Sequence, residues 1–102
     1  MAAWLRVCAV QDVRDGEPFG TKLDGVPVAI FLVGGQCYAL HDVCTHEYAR
    51  LSDGYQEEEI VECPLHQAQF DVTTGKCMLE PAKEDVTTYP LKTEGNDVLV
   101  YL

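Results

Sequence analysis

Short apolar runs alternate with turn residues along this chain, and the runs have the period of strands. In WLRVCAV (4–10), Leu5, Val7 and Ala9 alternate with Trp4, Arg6 and Cys8, which predicts a strand with two contrasting faces. VPVAIFLV (26–33) is apolar throughout; it meets Gly34-Gly35, and QCYAL follows. Two glycines between apolar runs predict a hairpin, because glycine takes positive φ without steric cost. Ser52-Asp53-Gly54 predicts a tight turn, EIVEC (59–63) a strand delivering Cys63 at its end, AQFDV (68–72) the returning strand, and TTGK the next turn. VTTYPL and DVLVYL, joined through Thr93-Glu94-Gly95-Asn96, predict a closing hairpin with Pro90 at an edge or a strand end. No stretch sustains a helical apolar period over three turns, and one helical turn is expected within residues 47–52. The expected class is all-β, built from hairpins, in one domain over residues 1–102.

Composition narrows what such a domain does. Apolar residues make up 47% of 102, enough for a packed core in a single small domain. The formal charge of −10 argues against nucleic acid and anionic membrane surfaces, which need basic patches, and allows a partner with a basic docking face. MAAWLRVCAV carries Arg6 inside and lacks a basic segment before an apolar core, so it does not read as a secretion signal. The longest apolar run, 26–33, falls well short of the roughly 20 residues that span a bilayer as a helix. A cytoplasmic protein is expected. The 5 cysteines, an odd number without a signal, argue against a disulfide framework.

Two of those cysteines and two of the 3 histidines form two short pairs, Cys44-x-His46 and Cys63-x-x-His66. Each pair alone is a weak signal. Together they let two loops clamp one inorganic centre from opposite sides. Tetrahedral zinc accepts two cysteines and two histidines. So does a 2Fe–2S cluster in which two histidines replace two cysteines on one iron. Zinc fingers usually pair like with like, whereas here each loop carries one of each. The mixed pattern fits a centre with two chemically different irons.

The stretch resembles the Rieske motif, and in particular the small Rieske-type ferredoxins of bacterial aromatic-ring dioxygenase systems. CTH at 44–46, LSDG at 51–54, ECPLH at 62–66, F-x-x-x-T-G at 70–75 and the proline segment 79–91 carry the resemblance, which runs from about Trp4 to Leu102. It implies three antiparallel sheets with a small cluster-binding subdomain, about 42–80, formed by two hairpin-like loops. It implies one Rieske 2Fe–2S cluster, with Cys44 and Cys63 on one iron, His46 and His66 on the other, and Pro81 in a covering loop. It also implies a one-electron carrier between a flavin-containing ferredoxin reductase and a terminal ring-hydroxylating oxygenase in aromatic hydrocarbon catabolism. With neutral imidazoles the oxidised cluster's charge sums to about zero, against about −2 for four thiolates, so histidine ligation raises the potential. The four ligands leave no open coordination site, so no substrate chemistry is expected and the chain does not read as an enzyme.

Further differences set it apart from the high-potential Rieske proteins of respiratory chains. Those carry an extra disulfide where Ala49 and Leu65 stand here, and serine and tyrosine hydroxyls where Ala68 and Phe70 stand here. A Rieske subunit of another redox system, such as nitrite reductase, and a structural zinc-binding interaction module are the competing readings. The oxygenase itself is excluded, because a mononuclear iron site needs two more histidines and only His41 remains. His41 reads as a surface or strand-end residue, and Cys8, Cys37 and Cys77 as small buried hydrophobes. Trp4, Phe31 and Tyr89 read as core or strand residues. Glu57, Glu58, Glu59 and Glu62 read as a solvated face or a docking surface. The density of like charge favours a monomer.

Overall fold

A computed structural model describes residues 3–44, 49–64, 68–79 and 84–102. Eleven strands form three antiparallel sheets. The first sheet joins the chain ends: β1 (Trp4–Ala9) pairs with β11 (Asp97–Tyr101), which pairs with β10 (Leu91–Glu94). The middle sheet has the order β2 (Phe19–Leu23), β3 (Val26–Val33), β4 (Gln36–His41) and β9 (Thr88–Tyr89). The third runs in sequence order through β5 (Tyr55–Glu57), β6 (Ile60–Glu62), β7 (Gln69–Asp71) and β8 (Cys77–Leu79). Two 3-10 turns, Val10–Asp12 and Leu51–Asp53, complete the described elements. No helix among the described residues is long and apolar enough to cross a membrane.

The unbroken apolar run of β3 follows from its place in the middle. Val28 and Ile30 pack on one side with Cys8, Cys37, Ala39, Val98 and Val100 of the neighbouring strands. Ala29 and Phe31 pack on the other side with Leu40, Leu51, Val61, Phe70 and Val72. Alternate residues of one strand thus feed two cores, and neither face is left for polar side chains. The hairpin expected at Gly34-Gly35 joins β3 to β4, with both glycines at positive φ (57° and 83°).

Two expectations need correction. VTTYPL is not one strand: β9 pairs with β4 in the middle sheet, and after Pro90 the chain passes into β10. Proline has no N–H to donate, so the ladder breaks there and the chain changes sheets. The first strand ends at Ala9, and a register shift between Arg6 and Cys8 turns Cys8, rather than Val7, most fully into the core. Trp4 is a strand residue, as expected, and lies exposed, edge-on to Tyr101 and beneath the Lys92 ammonium. The expected helical turn falls at Leu51–Asp53, and the first part of its range lies outside the described residues.

Candidate metal centre

Both motif cysteines close a hairpin in the same way. The Cys44 N–H donates to the Ala49 carbonyl at 2.8 Å, and the Cys63 N–H donates to the Ala68 carbonyl at 2.7 Å. One residue further out, Val43 bridges Arg50 and Glu62 pairs with Gln69. The two loops therefore close alike at their mouths, each entered through a cysteine and left through an alanine. EIVEC forms its strand over Ile60–Glu62, and Cys63 follows directly at its end, as the pattern predicts. AQFDV supplies the return as β7.

Burial brings the two thiols into one environment. Cys44 is 3% exposed and Cys63 1%, and both belong to the buried cluster that also holds Ala49, Ala68 and Phe70. Soft sulfur donors in a closed apolar setting, each at the mouth of a matching loop, suit an iron–sulfur centre. His46 and His66 lie outside the described residues, as do Leu65 and Pro81. Among the described residues no three of His, Cys, Asp and Glu converge on a point that could hold a metal ion.

The remaining candidates fall elsewhere. His41 ends β4, and its Nδ1 lies 3.1 Å from the Tyr89 hydroxyl. Cys8 and Cys37 are buried in the other core, between the first and middle sheets. Burial foremost, then Asp12 and Cys37, pushes the Cys8 thiol up to about 11, and burial raises that of Cys37. Cys77 is half-buried and packs against the cysteine-bearing core. Glu58 and Glu59 form the two-residue turn between β5 and β6, so the acidic run is an exposed hairpin tip. With Tyr55, Ile60 and Glu62 it lines a shallow cleft of about 390 Å³.

The pattern of the Rieske [2Fe-2S] domain matches residues 3–90. The chain belongs to that family. It is 41% identical over 99 residues to the naphthalene 1,2-dioxygenase ferredoxin component of Pseudomonas putida, covering 97% of this chain and 95% of the relative. It is 46% identical over 100 residues to the 3-phenylpropionate/cinnamic acid dioxygenase ferredoxin subunit of Shigella boydii, covering 96% and 92%. Among solved structures, it matches a chain in the complex of reduced oxygenase and oxidised ferredoxin of carbazole 1,9a-dioxygenase. That match has a TM-score of 0.90 at 35% identity and covers 95% of this chain and 91% of the other. This Rieske protein has the three-sheet Rieske fold and carries one 2Fe–2S cluster of that type. It is an electron-carrying ferredoxin rather than a catalyst, and the zinc-module reading falls.

Asp42 had no reading in the sequence, and its partner Ser52 read only as the start of a tight turn. Asp42 is fully buried, accepts the Ser52 N–H at 2.7 Å and the Ser52 hydroxyl at 2.6 Å, and pairs with the Arg50 Nε at 3.5 Å. A lone acid among strand residues, two positions before the motif residue Cys44, was the available signal.

Proposed function

We propose that this chain shuttles single electrons from a flavin-containing ferredoxin reductase to a terminal ring-hydroxylating oxygenase. In this reading Cys44 and Cys63 hold one iron of the cluster, and His46 and His66 hold the other. The cluster-binding part spans about residues 42–80 of a single Rieske domain, and the protein acts as a cytoplasmic monomer. One observation carries the reading: two like-built loops place two buried cysteines in a single apolar cluster, each with a motif histidine close behind it in sequence. Bound there, the cluster stores one electron. The protein's part is to supply unequal ligands to the two irons and to keep water from the sulfurs. Both effects tune the potential without opening a substrate site.

An anaerobic titration tests it. The purified protein, mixed with a flavin-containing ferredoxin reductase and its pyridine nucleotide, takes up one electron per chain, and a ring-hydroxylating oxygenase then reoxidises it. Uptake of two electrons per chain, or reduction that no oxygenase reverses, overturns the reading.

A further inference from the structure

The two ligand loops are alike at their mouths but not at their roots. The second stands on a ladder: Ile60 faces Asp71, Val61 faces Phe70 and Glu62 faces Gln69, with β5 and β8 flanking. The first has only the isolated Val43–Arg50 bridge before its limbs part, one into β4 and the other into the 3-10 turn. Where the second loop sets Val61 against Phe70, the first sets Asp42 against Leu51, joined by one long bond of 3.3 Å from the Leu51 N–H to the Asp42 carbonyl.

The Asp42 side chain makes up the difference. It is the one buried charged side chain among the described residues. Its carboxylate reaches across to the outgoing limb and takes both the N–H and the hydroxyl of Ser52, while its own N–H donates to the Pro27 carbonyl at 3.1 Å. Hydrogen bonds to a buried carboxylate are shorter and stronger than neutral ones. Gly20 of β2 lies directly over this staple. A Cβ there would collide with the Ser52 Oγ and come within 2.7 Å of the Asp42 Oδ2. Arg50, itself half-exposed, supplies the countercharge from the solvent side.

We propose that Asp42, acting through Ser52, is the positioning residue of the first ligand loop. It fixes the root of the loop that begins at Cys44, and so does for the first loop what the β6–β7 ladder does for the second. The proposal rests on the ligand reading of the preceding subsection.

The test compares Asp42→Ala, Asp42→Asn, Ser52→Ala and Val98→Ala in the cluster-bearing protein. Val98 is buried in the remote core and serves as a control for lost stability alone. Two quantities are read at a temperature where circular dichroism shows all variants folded: the EPR g-values and linewidths of the reduced cluster, and the rate at which a chelator strips iron. Asp42→Ala loses iron about ten-fold faster than wild type or more, with broadened lines, as expected for removal of a charge-assisted bond. Ser52→Ala moves both quantities the same way by less. Asp42→Asn, which keeps the shape and an acceptor for the Ser52 N–H, recovers most of the lifetime. Val98→Ala leaves both quantities at wild-type values. Should Asp42→Ala and Ser52→Ala match wild type or Val98→Ala in both readouts, the positioning role is refuted, and the single lost hydroxyl of Ser52→Ala decides the matter if Asp42→Ala fails to fold. A wild-type protein without a Rieske signal overturns the ligand reading as well.

Discussion

Ala68 and Phe70 share the buried cluster with Cys44 and Cys63, and neither carries a hydroxyl. The high-potential Rieske proteins that this chain resembles place a serine and a tyrosine at the matching positions. A hydrogen bond to sulfur stabilises the more negative, reduced cluster, so its absence lowers the potential. The expected value lies on the order of −150 mV rather than +300 mV. Ala68→Ser and Phe70→Tyr each raise it, and protein-film voltammetry measures both. The histidines give a second prediction at this scale. His46→Ala or His66→Ala abolishes the cluster's visible spectrum and lowers the melting temperature, because metal–ligand energy supports a small domain. His41→Ala leaves the spectrum intact, since its ring is engaged with Tyr89 at the end of β4. Absorbance and thermal unfolding of the three variants check it. Cys44 and Cys63 stood out from spacing alone, because two short Cys/His pairs in one chain are a rare and chemically specific combination. Asp42 was not, because what marks it is burial, and burial comes from Pro27, Gly20 and Ser52 meeting around it from three other places in the chain.

At the level of elements, β3 is the structural centre, because Val28 and Ile30 feed one core, Ala29 and Phe31 the other, and its neighbour β4 divides in the same way. Phe31→Ala is expected to cost about 3–5 kcal/mol, the range for deleting a buried aromatic ring. Tyr55→Ala is expected to stay within about 0.5 kcal/mol, since Tyr55 is 72% exposed at the edge of the third sheet. Urea unfolding of both variants measures the contrast. Long apolar strands and glycine hairpins were readable, since β3–β4 and β10–β11 carry their own turn signals. The short strands β2, β5 and β8 were not. FGTKL and YQE are half polar, and they are held as strands by partners: Phe19–Leu23 by β3, and Tyr55–Glu57 by β6 and by the Gln56 amide on the Leu32 carbonyl at 2.9 Å. Tertiary pairing there overrides weak local preference.

The whole molecule is strongly acidic, with a formal charge of −10, and part of that charge is concentrated at the β5–β6 tip, on the sheet whose strand β6 leads to Cys63. Exposed charges steer a partner over roughly one Debye length, about 8 Å at physiological ionic strength. Electron transfer to a partner with a basic face therefore slows as salt rises, by about ten-fold or more between low and high ionic strength. Stopped-flow rates that stay constant across that range would remove electrostatic steering while leaving the cluster in place. The like-built loops, their buried cysteines and the three-sheet frame all bear on one claim, that unequal ligands from two loops hold a single two-iron cluster. The EPR spectrum of the reduced protein tests it most directly. The expected result is a red-brown protein whose reduced form gives a rhombic signal with an average g below that of the free electron. A colourless, EPR-silent protein containing one zinc per chain would contradict it.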